Sequence, residues 1–131
     1  MEILEKYIKD IEEDLKIDEF NIKDASLRSP GRKHYWVARL IHHKRTLLKL
    51  EREKLQLKKK IMQEVQYQSP VKLSNVTVDK SADDSEIIRN ISRQIEEEKL
   101  IIEFLEKTEK TFSSLTYDIK NIVEIMKMEQ L

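Results

Sequence analysis

Apolar residues recur at three- and four-residue steps along most of this chain, with polar residues between them. Ile3, Leu4, Tyr7, Ile8, Ile11 and Leu15 form one such stripe, which predicts a first helix from Glu2 to Leu15. IDEFNIKDASLRS then breaks the period, and its Asp, Asn and Ser favour turns. Ser29-Pro30-Gly31 reads as a new start, because Ser caps and Pro at the first helical position has no amide to lose. A second helix is predicted from Pro30 to Val65, roughly 50 Å long. Its Leu40, Leu47, Leu50, Leu57 and Ile61 keep a coiled-coil rhythm, with His43 and Lys54 as polar members of the seam. Such polar members cost stability and fix register.

Residues 66–80, QYQSPVKLSNVTVDK, behave differently. Pro70 ends the helix, since the residue before a proline disfavours the helical region. Val71, Leu73, Val76 and Val78 fit short extended pieces or a small hairpin, and a plain connector is equally compatible. SADDSE opens a third helix, with Ser81 or Asp83 as cap and acids suited to the positive end of the helix dipole. This helix should reach Met128. Ile88, Ile91, Ile95, Ile102, Leu105, Phe112, Ile119, Val123 and Met126 follow a heptad-like spacing, and Ile87, Ile101, Leu115 and Ile122 form a row beside it. The combined stripe is wider than one partner helix requires. It fits packing on the chain's own second helix, and also contact with a neighbouring subunit. The candidate oligomerisation residues are therefore Ile88, Ile91, Ile95, Ile102, Leu105, Phe112, Leu115, Ile119, Ile122 and Val123.

The expected fold is all-α: a short N-terminal helix, then two long helices forming an elongated hairpin. One helical domain would span 1–131, with an acidic helix and turn (1–27), a basic helix (28–65), a connector (66–82) and a long oligomerisation helix (83–131). The composition agrees, with 38% charged residues, 39% apolar residues, one Gly and two Pro. So charged a chain buries only a modest core alone, which hints at association. No cysteine is present, which excludes disulfides, zinc-thiolate sites and Cys nucleophiles and fits a reducing, intracellular setting. No apolar run approaches the ~20 residues of a membrane span, and the acidic, amphipathic N-terminus is unlike a secretory signal.

Charge changes the picture most. The chain carries 25 basic and 25 acidic residues, yet residues 1–27 have a net charge of −5, residues 28–64 of +9 and residues 65–131 of −4. On the second helix Arg45, Lys49, Arg52, Gln56 and Lys59 step by four and three and so share one face, flanked by Lys44, Lys58 and Lys60. A solvated face is the plain reading. Against it, Glu51 and Glu53 are too few to neutralise the row, and Lys54 and Lys58 are like charges one turn apart. A polyanion is the better fit. A nucleic-acid backbone would be gripped with counterion release, an anionic membrane would want apolar bulk on the same helix, and the acidic segment 1–27 offers a partner within the protein. Tyr35 and Trp36 at the start of the basic helix belong either to the core or to base stacking beside a basic groove. His42-His43 is no metal pair, because adjacent side chains point about 100° apart on a helix and no carboxylate or Cys stands at ligand spacing. With a single Gly there is no phosphate-cradling loop, and no Ser–His–acid pattern stands out. No enzyme activity, metal or cofactor is expected.

Three stretches carry a resemblance: DLKIDEFNIKDASLRSP (14–30), HYWVARLIHHKRTLLKLEREKLQLKKKI (34–61) and SSLTYDIKNIVEIMK (113–127). In element order and in these stretches together the chain resembles the UvsY family, the recombination mediators of T-even-like phages and their marine relatives. It departs from the Tyr-Tyr-(Ser/Thr)-Gly that closes the basic helix in many relatives, reading VQYQSP instead. The resemblance implies non-specific binding of single-stranded DNA and a ring-like homo-oligomer, heptameric in the best-known case. It implies help to a RecA-like recombinase in displacing the phage single-strand binding protein, in the cytoplasm of the host cell. The family's DNA contacts late in the basic helix map to Lys58 and Lys60, with Lys59 one register step away. The full candidate DNA-binding set is Arg45, Lys49, Arg52, Lys54, Lys58, Lys59 and Lys60, with Tyr35 and Trp36 as aromatic candidates. The alternative is a structural coiled-coil scaffold whose basic face pairs with acidic segments of its own assembly.

Overall fold

A computed structural model describes residues 1–130. It contains helices α1 (Glu2–Asp14), α2 (Ile22–Gln68), α3 (Asn75–Asp83) and α4 (Glu86–Glu129), with no strand among the described residues. The all-α class read from the heptad stripes is the one observed. Two compact units arise: Met1–His42 with the chain from Ile101 on, and His43–Leu100. Helices α2 and α4 each contribute to both.

In the first unit α1 buries Tyr7 and Ile11 from its apolar stripe. Glu2 and Glu5 in its first turn suit the helix dipole. Trp36, Ala25 and Leu40 are the buried side chains of α2 here, and Ile101, Ile102, Leu105, Phe112 and Leu115 those of α4. Thr108 is buried as well, with its hydroxyl donating to the Phe104 carbonyl at 2.9 Å.

Helix α2 begins at Ile22, well before the Ser-Pro-Gly start expected from sequence. The turn ahead of it supplies the reason. Asp18 Oδ1 accepts the backbone N–H groups of Phe20 and Asn21 at 2.8 and 2.9 Å, and Asn21 Oδ1 accepts that of Asp18 at 2.8 Å. The Asn21 side-chain amide also donates to the Lys16 carbonyl, and the Asn21 carbonyl receives the first helical N–H, from Ala25. This reciprocal Asp–Asn pair fixes the turn that leads into the helix. Pro30 consequently lies inside α2, where it has no N–H to give the Ser26 carbonyl. Ala25, 2% exposed on the upstream turns, ties that stretch to the core.

In the second unit the connector is not extended. Residues 75–83 form α3, capped by Ser74, whose hydroxyl accepts the Thr77 N–H at 3.2 Å. A helix therefore stands where the sequence left a small hairpin and a plain connector equally open. The deciding spacing is Val78 to Ala82, one helical turn, and both are buried while Val76 is 79% exposed. Ser85 caps α4 by accepting the Ile88 N–H at 3.3 Å. The expected caps Ser81 and Asp83 lie within α3 instead. Ile88, Ile91 and Ile95 of α4 are buried, as is His43 of α2, and Leu47, Leu50, Lys54, Leu57 and Ile61 are half-buried along the expected seam.

Candidate nucleic-acid interface

An uninterrupted α2 is what aligns the basic side chains, since a straight helix brings every third or fourth residue to one face. Arg45, Lys49, Arg52 and Gln56 do line a single open groove of about 610 Å³, together with Leu48 and Glu53. Arg45, Lys49, Arg52 and Lys59 are all exposed. Among the described residues no carboxylate comes within ion-pairing distance of these four. Like charges one turn apart, such as Arg45 and Lys49, repel by a few tenths of a kcal/mol, roughly 0.2–0.5 per pair. An anion laid along the groove relieves that repulsion. Lys60 is exposed beside a second groove, of about 380 Å³, lined by Gln63, Glu64, Tyr67 and Gln68.

Lys58 is different. Its ammonium contacts Asp79 Oδ1 at 2.8 Å and Asp83 Oδ1 at 3.0 Å, and only 23% of its side chain is exposed. The hydrogen bond to Asp79, then that to Asp83, hold its pKa above the ordinary lysine value. The open surface expected for Lys58 is thus corrected: both aspartates of α3 already occupy it. Lys54 is half-buried, and with Lys58 it lines a groove of about 330 Å³ that also holds Glu51, Leu55, Ser92, Ile95, Glu96 and Lys99.

The two aromatic candidates separate. Trp36 is 2% exposed, packs edge-on against Tyr7 at 5.3 Å, and donates its indole N–H to Asp14 Oδ2 at 2.8 Å. A buried, hydrogen-bonded indole has no face to give a base, so Trp36 belongs to the core. Tyr35 is partly exposed, with the guanidinium groups of Arg32 and Arg39 over its ring at 4.4 and 4.7 Å.

The expected oligomerisation seam is largely consumed inside the chain. Ile88, Ile91, Ile95, Ile102, Leu105, Phe112 and Leu115 are buried in the protomer and have no surface left for a neighbour. Ile119, Ile122 and Val123 are half-buried. Two features escaped the sequence reading. Ile41, Leu48 and Leu55, 45%, 54% and 58% exposed, form a second seven-residue row on α2, and Leu48 sits in the basic groove itself. Their seven-residue spacing is itself a sequence signal, masked by the Leu40 row, which alone accounts for the helix. Nothing local marked Asp14 as the partner of Arg32 and Trp36, which lie 18 and 22 residues away. His43 Nδ1 stands 2.7 Å from Glu98 Oε2, and no cluster of three or more metal-ligating side chains occurs among the described residues. No helix among them is long and apolar enough to cross a membrane.

No protein family description matches the chain, and no curated protein does so by sequence. Its structure, however, is similar to the crystal structure of the bacteriophage T4 recombination mediator protein UvsY. The two superpose with a TM-score of 0.83 over 96% of this chain and 98% of that one, at 15% sequence identity. Across nearly its whole length, then, this chain has the fold of UvsY.

Proposed function

We propose that this chain is a recombination mediator that binds single-stranded DNA without sequence preference, through the basic face of α2. The observation that carries the reading is the row of Arg45, Lys49 and Arg52, exposed, without carboxylate partners among the described residues and gathered on one groove. It lies on a fold shared with a protein described as a recombination mediator. Lys59 and Lys60 extend the row toward the end of the helix. Guanidinium and ammonium groups take phosphates with release of counterions, which needs no base readout, while Leu48 offers an apolar contact to unstacked bases. A monomer makes few such contacts. A ring of subunits, heptameric as the family resemblance implies, would repeat the face and raise the effective concentration of sites along one strand. The half-buried Ile119, Ile122 and Val123 remain for the subunit surface. The role is one of binding and handing over: the strand is presented to a RecA-like recombinase as the single-strand binding protein leaves, with no catalytic step by this chain.

The scaffold reading gains from one observation, the pairing of Lys58 with Asp79 and Asp83. It leaves the Arg45–Lys49–Arg52 row unexplained. Titration of a labelled oligothymidylate at several salt concentrations separates the two. The DNA-binding reading expects the log of the affinity to fall with log salt at about 0.7 per phosphate neutralised. It also expects Arg45→Ala, Lys49→Ala and Arg52→Ala together to weaken binding and flatten that slope, with sedimentation unchanged. A triple variant that binds as tightly as the parent overturns the assignment.

A further inference from the structure

We infer that Lys58 is a phosphate-binding position kept occupied by α3, whose Asp79 and Asp83 carboxylates stand where DNA phosphate oxygens would sit. This rests on the DNA-binding reading above and specifies how that site is regulated. Asp79 and Asp83 are one turn apart on α3 and share one face. Alone they would repel, and the Lys58 ammonium between them removes that repulsion. Two of its three donors are thereby used, in a geometry an incoming phosphate would also satisfy with two oxygens. Both carboxylates are about half exposed, at 50% and 48%, so solvent and salt screen the contact, and ion pairs of this kind exchange readily.

The helix that carries them is weakly held. It has nine residues, of which Val78 and Ala82 are buried, and isolated helices under about 12 residues are marginal in water. It hangs between the 69–74 connector, with Pro70, and the short Asp84-Ser85 step into α4. Segments with few buried contacts open locally well below the global unfolding free energy. Lys59 and Lys60 stay exposed beside Lys58. A strand seated on the open row therefore reaches Lys58 last, and completes its contacts by displacing α3. In this account α3 acts as an acidic latch: it lowers affinity for short or weakly held polyanions and yields to a strand already bound along Arg45, Lys49 and Arg52.

The test is Asp79→Asn with Asp83→Asn, titrated against a labelled oligothymidylate. The expected result is binding about two- to five-fold tighter at 0.1 M salt, with a salt slope steeper by about 0.7. Asp84→Asn with Glu86→Gln removes the same charge from neighbouring carboxylates that do not touch Lys58, and should give less than half of that gain. In a Lys58→Ala background the gain should vanish. Hydrogen exchange of the α3 amides in the parent protein should speed up when the oligonucleotide is added. Equal gains from the two acidic pairs, a gain that persists without Lys58, or α3 amides that slow on binding would each overturn the latch. A parent protein that binds no oligonucleotide overturns the DNA-binding reading itself, whereas a parent that binds with the Asp79/Asp83 variant unchanged overturns the latch alone.

Discussion

Trp36 donates its indole N–H to Asp14 at 2.8 Å, and the same carboxylate oxygen accepts the Arg32 Nε–H at 2.8 Å. One side chain at the last residue of α1 thus holds two residues of α2, and only 13% of it is exposed. Asp14→Ala leaves a buried indole N–H and a partly buried guanidinium without their acceptor. The expected cost is about 2–3 kcal/mol, measured as a lowered urea midpoint with an unchanged slope. Trp36 is the chain's one tryptophan, so its fluorescence reports the transition directly. Its burial also predicts slow acrylamide quenching, equally slow with saturating oligonucleotide. A Trp36 that is readily quenched when free and protected by DNA would return it to the binding face.

Gly31 stands inside α2 with a negative φ and nothing within 4 Å of the position a Cβ would take. The helix therefore gains nothing from the missing side chain. Gly31→Ala should stabilise the protein by about 0.5–1 kcal/mol, mainly by restricting the unfolded chain. Thermal denaturation checks this, and a lowered midpoint would mean that the turn around Pro30 needs the glycine after all.

Leu48 offers a way to separate packing from binding. It is 54% exposed in the groove of Arg45, Lys49 and Arg52. Leu48→Ala should leave stability within about 0.5 kcal/mol of the parent. On the DNA-binding reading it should weaken oligonucleotide binding severalfold while the salt slope stays the same, because no phosphate contact is lost. A changed slope would place Leu48's effect on the charges rather than on the bases.

His43 and Glu98 form a polar pair where α2 otherwise offers a leucine seam. His43 is 4% exposed and its Nδ1 lies 2.7 Å from Glu98. Removing one side chain costs the other this buried polar contact, whereas removing both puts an apolar contact in its place. Glu98→Ala should therefore cost about 1–2 kcal/mol more in the parent than in a His43→Leu background. A double-mutant cycle by urea denaturation reads the coupling, and a coupling near zero would reduce the pair to coincidence.

The Lys58 contact makes a prediction about pH. Its pKa is raised in the folded protein by Asp79 and Asp83. The stabilisation is thus complete below the ordinary lysine pKa and is lost as pH climbs through the raised value, so the contact is intact at neutral pH and weakens only in strong alkali. An ammonium held protonated is a poor nucleophile. At about pH 8, acylation followed by mass spectrometry should modify Lys58 several-fold more slowly than the exposed Lys59, and Asp79→Asn with Asp83→Asn should narrow the difference.

What the sequence by itself determined is what short-range periodicity carries. The stripe from Ile3 to Leu15, the Leu40–Ile61 rhythm and the row from Ile88 onward specify three helices and the face each one turns inward. The Arg45, Lys49, Arg52 and Gln56 spacing places four side chains on one groove for the same reason, since helical geometry alone converts steps of three and four into a face. Tertiary structure decided the rest. The start of α2 depends on a reciprocal Asp18–Asn21 turn and on the burial of Ala25, which together outweigh the proline at 30. Residues 75–83 could read as strand or connector until Val78 and Ala82 found a core to enter. The wide stripe of α4 fitted two partners equally, and only the folded chain shows eight of its members already buried. Asp14 draws Trp36 into the core, and Asp79 and Asp83 cover the Lys58 ammonium, each partner lying more than twenty positions away. A side chain's charge and spacing are local properties, but whether it is free to meet a ligand depends on which distant residue the fold brings to it first.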